Sequence, residues 1–169
     1  MPAVVVLVVL VTTVSCGQAP TPAEPVAPVN PLHGVWSMTA VNPGGGGAPI
    51  DPSQPGLFIF TEGYYSEVSS LGADPRPLSA AGFNPTSKEK VAQYDTIIVN
   101  AGTYEVDGPT IIFRPMVAKT PEFIGGHSTM DFQITGDVLT LTVQSVVAAD
   151  GVSAPSDGVG STMTLRRNE

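Results

Sequence analysis

The chain of 169 residues has the length of one domain, and its formal net charge is -8, from 7 basic and 15 acidic side chains. Because a surface of this sign repels phosphate backbones, the composition argues against a nucleic-acid-binding protein. Only 13% of the residues are charged, whereas 18 glycines and 17 prolines favour a turn-rich β protein over a helical one.

The first predicted element is an apolar run, AVVVLVVLV, at residues 3–11. Even when it is extended to Ser15, the run is shorter than the ~20 residues that a membrane-spanning helix needs. A short apolar core that ends in small residues is typical of a secretory signal peptide, although no Lys or Arg precedes this one. We therefore expect residues 1–15 to be a signal peptide.

The single cysteine, Cys16, follows this run directly. The sequence TVSC at residues 13–16 resembles the lipobox of bacterial lipoproteins, in which the signal is cut before a cysteine that carries diacylglycerol. A lone cysteine cannot form an internal disulfide, and unpaired thiols are unusual in exported proteins. We therefore predict that Cys16 is lipidated and anchors an exported protein in the bacterial cell envelope. Secretion without an anchor is the alternative.

A proline-rich segment follows the cysteine. Residues 17–31, GQAPTPAEPVAPVNP, contain five prolines and few large apolar groups. Such a segment stays extended, at ~3 Å per residue. We expect residues 16–31 to be the lipidated cysteine with its linker, and residues 32–169 to be the folded domain.

From Leu32 onward, apolar and polar residues alternate in short runs bounded by turn residues, which predicts about eight strands. The dipeptides Asp107-Gly108 and Gly136-Asp137 mark two hairpins. An antiparallel sheet of this length must bury its apolar face, and closure into a barrel also removes exposed edges. A β-sandwich is the alternative. The predicted strands cover residues 34–41, 56–61, 64–70, 102–107, 109–117, 128–135, 137–146 and 160–167.

Residues 84–102 interrupt this alternation and predict one helix between the third and fourth strands. Thr86 and Glu89 have the spacing of a capping box. Val91, Tyr94 and Ile98 share one helical face, and the glycine at position 102 is a plausible stop. Such a helix could plug one end of a barrel or serve as a lid over a cavity.

The order and spacing of several motifs resemble the bacterial lipocalin-like domain family. These motifs are LHGVWSM, PGLFIFTEGYYSEVSS, AQYDTIIVNAGTYEVDG, FQITGDVLTLT and TLRR. The resemblance implies an all-β, eight-stranded antiparallel lipocalin-like barrel with a central cavity. It also implies that Arg167 stacks on Trp36, a cation–π contact worth ~0.5–2 kcal/mol. A glycine-rich first loop, residues 42–55, would overhang the mouth and, with the predicted helix at 86–102, gate it.

Small barrels hold one ligand in a mostly apolar interior with a few polar groups. We therefore predict a small hydrophobic ligand, with tyrosine hydroxyls as the adjustable polar contacts. Whether the interior is hollow or filled by its own side chains is left open by the sequence. The predicted ligand-binding residues are Trp36, Met38, Phe58, Tyr64, Tyr94, Tyr104, Phe113 and Phe132.

No catalytic or metal-binding constellation is visible, and no cofactor is predicted. His33 and His127 are far apart, and no second Cys is present to give a metal-ligand spacing. Ser128 has no partnered acid in the sequence. The carboxylates are assigned to turns and outer faces: Asp51, Glu62, Glu67, Glu105, Asp131 and Asp137.

These observations favour a binding protein over an enzyme. The leading hypothesis is an exported lipocalin-like barrel that binds a small apolar or amphipathic molecule. The alternatives are a filled barrel that acts as a structural or protein-interaction module of the envelope and, third, a barrel cyclase or isomerase, which would need a buried acid or a paired histidine.

Overall fold

The computed structural model describes residues 30–51, 54–154 and 158–168. Within them, eight antiparallel strands form one closed barrel in which each strand pairs with the next and the last pairs with the first. The predicted fold class is confirmed, and the sandwich alternative is not. The strands are β1 (Gly34–Asn42), β2 (Gly56–Phe60), β3 (Tyr64–Ser70), β4 (Ile97–Asp107), β5 (Thr110–Ala118), β6 (His127–Thr135), β7 (Val138–Val147) and β8 (Thr162–Arg167). The predicted signal peptide, Cys16 and most of the linker lie outside the described residues.

Both hairpins predicted from dipeptides are present. Asp107 pairs with Thr110, and Thr135 pairs with Val138, so each turn holds two residues. The first turn residues, Gly108 and Gly136, have φ values of 57° and 59°, which glycine adopts without a steric penalty. These turns place the ends of four strands at one end of the barrel.

The helix α1 (Ser87–Asp95) lies between β3 and β4, as predicted, but it is shorter than expected. The capping box of Thr86 and Glu89 is formed. The expectation that the helix continues to residue 102 is wrong, because residues 97–102 belong to β4 and pair with β3. The β-branched run Ile97, Ile98 and Val99 favours this extended pairing. Since no residue of α1 is buried, the helix does not plug the core.

The hydrophobic core fills the end of the barrel that carries the hairpin turns. Aromatic rings dominate it: Phe60 meets Tyr104 edge-on at 5.3 Å between ring centroids, and Tyr65 meets Phe113 at 4.6 Å. Such pairs add about 0.5–1.5 kcal/mol each beyond the area that they bury. This end of the barrel is therefore filled by side chains. The buried cluster comprises Leu32, Trp36, Phe58, Phe60, Tyr65, Tyr104, Ile111, Phe113, Met130, Leu139, Leu141, Val143 and Leu165.

The predicted contact between Trp36 and Arg167 closes the barrel. The two residues are paired across β1 and β8, and the guanidinium carbon lies 4.0 Å from the centroid of the indole. Arg167 also donates hydrogen bonds of 2.6 Å to the carbonyl oxygens of His33 and Pro31. The indole Nε1 donates to the carbonyl oxygen of Leu32 at 2.7 Å. One arginine thus joins the last strand to the chain that leads into the first.

That leading segment, residues 30–33, seals this end of the barrel. Leu32 is completely buried. The Asn30 side chain donates to the hydroxyl of Tyr104 at 3.0 Å, and that hydroxyl donates to the carbonyl oxygen of Thr61 at 3.0 Å. We call this the sealed end; the opposite end is hollow.

Candidate functional site

A cavity of about 430 Å³ occupies the end of the barrel opposite to the sealed end. The sequence left open whether the barrel is hollow or filled, and each description fits one end. Apolar side chains from six strands make up most of the wall. Among them are Met38, Ile98, Phe113, Met130, Val143 and Met163.

The floor of the cavity is the top of the core. Tyr65, Phe113, Met130 and Val143 belong both to the buried cluster and to the cavity wall. Because these side chains are fixed by packing from below, the floor has a defined shape.

The mouth is formed by four connecting segments, one of which contributes Leu71 and Gly72 after β3. Pro43 and Ile50 of the first loop line it, so the expectation that this loop lies at the mouth agrees with the structure. The backbone N–H of Gly44 donates to the hydroxyl of Ser161 at 3.0 Å, which ties the loop to the segment before β8. Phe123, from a 3₁₀ turn at Pro121–Phe123, completes the rim. None of the residues found to line the described cavity comes from α1, which was predicted to help gate it.

The inward face of β3 is the opposite of the predicted one. Tyr64 was expected in the lumen, but its side chain is 58% exposed, while Tyr65 is buried. The inward residues Tyr65, Glu67 and Ser69 line the cavity. The antiparallel pairing of β2 with β3 corrects the prediction, because Phe60 is opposite Tyr65 and Phe58 is opposite Glu67. Residues paired across two strands project to the same side, so inward phenylalanines require an inward Tyr65 and Glu67.

Glu67 is therefore the main correction to the predicted site. The sequence pattern assigned it to an outer face, but its exposed fraction is only 6% and it lines the cavity. The Ser69 hydroxyl donates to one carboxyl oxygen at 3.3 Å, and the Asn100 amide donates to the other at 3.4 Å. Burial raises the pKa of Glu67 to about 7, while these two hydrogen bonds act in the opposite direction. Burial, followed by the nearby Glu67 charge, also raises the pKa of Tyr65.

Two basic side chains share the wall with Glu67. Lys119 donates from Nζ to the carbonyl oxygen of Tyr94 at 3.1 Å and lies 4.6 Å from the centroid of that ring. His127, at the start of β6, is partly exposed. The other carboxylates named above are exposed, and Glu105 forms an ion pair of 3.6 Å with Arg114 on the outside of the barrel.

The predicted ligand-binding residues fall into three groups. Met38 and Phe113 line the cavity. Trp36, Phe58 and Tyr104 are buried in the core near the sealed end, and Phe132 packs against that core. Tyr64 and Tyr94 are more than half exposed, and the Tyr94 hydroxyl donates to the carbonyl oxygen of Lys119 at 2.8 Å. Periodicity identified the inward-facing side chains on the strands other than β3, but not the level in the barrel at which the packing stops.

In residues 30–51, 54–154 and 158–168, no three His, Cys, Asp or Glu side chains are grouped so that they could hold a metal ion. Over the same part of the chain, every helix is too short or too polar to cross a lipid bilayer.

The known proteins that resemble the chain include one solved structure and one protein family. The chain is similar, at 12% identity, to a solved structure described as an uncharacterized protein from Bacteroides eggerthii DSM 20697. The match covers 81% of this chain and 99% of that one, with a TM-score of 0.45. No curated protein matches the sequence. The family model of the lipocalin-like domain matches residues 33–166, which span β1 to almost the end of β8. The chain therefore belongs to the lipocalin-like domain family.

Proposed function

We propose that this protein binds a small apolar or amphipathic molecule in the hollow end of its barrel. The observation that carries the proposal is the cavity of about 430 Å³ with its largely apolar wall. Ligand pockets usually measure about 300–1,000 Å³ and combine an apolar lining with a few polar groups. The polar groups here are few, and Glu67, Ser69 and Asn100 are joined by hydrogen bonds.

The binding energy would come mainly from burial of the ligand's apolar surface, at roughly 25 cal/mol per Å². The rigid floor lowers the cost of ordering side chains around the ligand. The filled-barrel hypothesis accounts for the sealed end, but it does not account for the cavity at the other end.

The enzymatic alternative required a buried acid, and Glu67 is one. Among the described residues, however, its hydrogen-bond partners are the neutral groups of Ser69 and Asn100. The apolar wall supports binding directly, whereas no second titratable group is hydrogen-bonded to Glu67 among the described residues. We therefore favour binding over catalysis.

Nile red, a neutral dye whose fluorescence rises in apolar surroundings, tests this function. Val146 lines the cavity and is only partly exposed, so Val146→Trp should fill the space. Met116 is 62% exposed on the outer face of β5, so Met116→Trp is the matched control. We expect the wild type and the control to bind the dye alike, and Val146→Trp to bind at least about tenfold more weakly. Equal binding by the two variants, or no response of the wild type, would contradict the proposal.

We also propose that the protein is exported and held at the bacterial cell envelope by a lipid on Cys16. The support is the short apolar run at residues 3–11, the TVSC sequence and the proline-rich linker after it. Several acyl chains at one site anchor firmly, since each buried CH₂ contributes ~0.8 kcal/mol.

Expression of the full chain in a bacterium tests the anchor. The wild type should sediment with membranes and show a mass gain on the peptide that begins at Cys16. Cys16→Ser should lose both properties, and Gln18→Ala should keep them. An unmodified Cys16 in membrane-free medium would instead support simple secretion.

A further inference from the structure

One carboxylic acid interrupts the apolar wall of the cavity. Among the described residues that line it, Glu67 is the only acidic side chain. It is more than nine-tenths buried and lies at the centre of β3, next to the apolar floor. Burying a carboxyl group is costly unless partners compensate for the lost water, so its presence in this position requires an explanation.

The partners that the barrel itself supplies are weak. The two hydrogen bonds to Glu67 come from neutral donors at 3.3 Å and 3.4 Å, near the long limit for such contacts. A carboxylate offers about four acceptor positions, so about half of its capacity is unused. The one ion pair found among the described residues joins Arg114 to Glu105 outside the barrel.

The other titratable and charged groups on the wall do not neutralise Glu67. Lys119 is committed to the carbonyl oxygen and ring of Tyr94. The phenol of Tyr65 neighbours Glu67 on the same face of β3, and the negative charge of Glu67 makes that phenol harder to ionise. His127 stands on β6 and has no hydrogen bond or ion pair to Glu67 among the described contacts. A cation inside the cavity would therefore meet a carboxyl group that still lacks a charged partner.

We infer that the cavity selects amphipathic molecules with a protonated amine, whose apolar part contacts the methionine, valine and phenylalanine wall while the ammonium pairs with Glu67. The inference rests on the proposed binding function of the cavity. An ammonium group carries three donors and one positive charge, which match the free acceptors and the negative charge of the ionised carboxyl group. A fatty acid with the same apolar chain as the amine would place a second carboxylate beside Glu67. Repulsion between these two negative charges opposes binding.

Binding of the amine has a proton balance that can be measured. Below neutral pH, Glu67 is largely protonated because burial raises its pKa to about 7. An ammonium ion that binds there displaces the carboxyl proton, which passes to the solvent, and leaves an ammonium–carboxylate pair in the cavity. Binding of a neutral alcohol releases no proton.

Competition with Nile red by three ten-carbon compounds tests the inference: decylamine, decanol and decanoate, each kept below its micelle-forming concentration. At about pH 8 decylamine is protonated and Glu67 is ionised. We expect decylamine to bind roughly tenfold more tightly than decanol, and decanoate to bind more weakly than decanol. Glu67→Gln should abolish the advantage of the amine over decanol, while Glu105→Gln on the outer surface should preserve that advantage.

Calorimetry of the wild type in two buffers of different ionisation enthalpy gives a measurement that does not depend on the variant folding. At about pH 6 the amine should release close to one proton per bound molecule, and decanol none. If decanol binds but the amine has no advantage, or keeps it in Glu67→Gln, or releases no proton, the inference is wrong and the proposed function stands. If neither Nile red nor decanol binds, the proposed function itself is wrong.

Discussion

Trp36 and Arg167 are paired across the two strands that close the barrel, with the guanidinium carbon 4.0 Å from the centroid of the indole. The same guanidinium holds two backbone carbonyl oxygens of the segment that precedes β1. The Arg167 side chain therefore both closes the sheet and holds the segment of residues 30–33 in place at the sealed end.

Replacement of Arg167 by Met should lower the free energy of unfolding by about 2–3 kcal/mol, because it removes a cation–π contact and two hydrogen bonds from a charged donor. Urea denaturation followed by far-ultraviolet circular dichroism measures the change. Arg166→Met is the matched control, since Arg166 is exposed, and it should stay within about 0.5 kcal/mol of the wild type. Equal unfolding midpoints for the two variants would contradict the structural role of Arg167.

Gly34 is required where the chain enters β1. Its φ is 123°, a value that side chains rarely adopt, and a Cβ atom there would lie 3.1 Å from Nη1 of Arg167. Gly34→Ala should therefore cost about 1–3 kcal/mol of stability. Gly158→Ala is the control, because that position has open space and no positive φ. Thermal melts of both variants measure the effect. Equal melting temperatures for the two variants would contradict the requirement for glycine at position 34.

The stability of the protein should contain a pH-dependent term from Glu67. Burial raises its pKa from 4.5 to about 7, so between these values the folded chain binds more protons at this site than the unfolded chain does. The stability from this group is therefore fully present below pH 4.5 and is lost as the pH rises through about 7, a change of about 3 kcal/mol.

Comparison with Glu67→Gln isolates this term from those of the other carboxylates. The difference in unfolding free energy, variant minus wild type, should increase as the pH rises from about 4.5 to about 8. A difference that stays constant across this range would show that Glu67 keeps its ordinary pKa.

Tyr104 should contribute to stability and not to ligand affinity. Its hydroxyl links Asn30 to Thr61 at the sealed end, away from the cavity. Tyr104→Phe should lower the free energy of unfolding by about 1–2 kcal/mol, while Nile red binding changes less than about twofold. The dye titration and the urea curve are measured on the same preparation. A large loss of affinity at unchanged stability would return Tyr104 to the binding site.

Tyr94 tests whether α1 gates the cavity. Its ring is 51% exposed and contacts Lys119, and α1 contributes no residue to the described wall. Tyr94→Ala should therefore leave the association rate and affinity of Nile red within about twofold of the wild type. Stopped-flow fluorescence measures the rate, and a strong acceleration would identify the helix as a barrier after all.

The strands and the hairpins could be predicted because local patterns determine them, whereas the prediction that Trp36 pairs with Arg167 came from the family resemblance. The helix boundary could not be predicted, because Ile98 satisfies a helical period of 3.6 residues and a strand period of two equally well. Only its pairing with Ser69 on β3 decides the matter. The run from residue 97 to residue 99 therefore lies in a strand although it continues the apolar face of the helix.

Glu67 was missed for a related reason. On β3 the apolar count favours Tyr64 and Val68 as the inward face, yet Val68 is 44% exposed and Glu67 is buried. Assigning the more apolar face of a strand to the barrel interior assumes that inward residues contact other side chains. The assignment fails where an inward residue borders a cavity. The register between Phe58 and Glu67 is the observation that corrects it.

The chain enters the barrel at its sealed end, where Asn30 and Pro31 are held by Tyr104 and Arg167. Any tension on the upstream polypeptide is therefore transmitted to the base of the barrel and leaves the rim of the cavity unloaded. The lipid proposed for Cys16 would attach the protein on that side, and the opening would then face away from the membrane. The ligand proposed for the cavity would then enter and leave on the side opposite to the attachment.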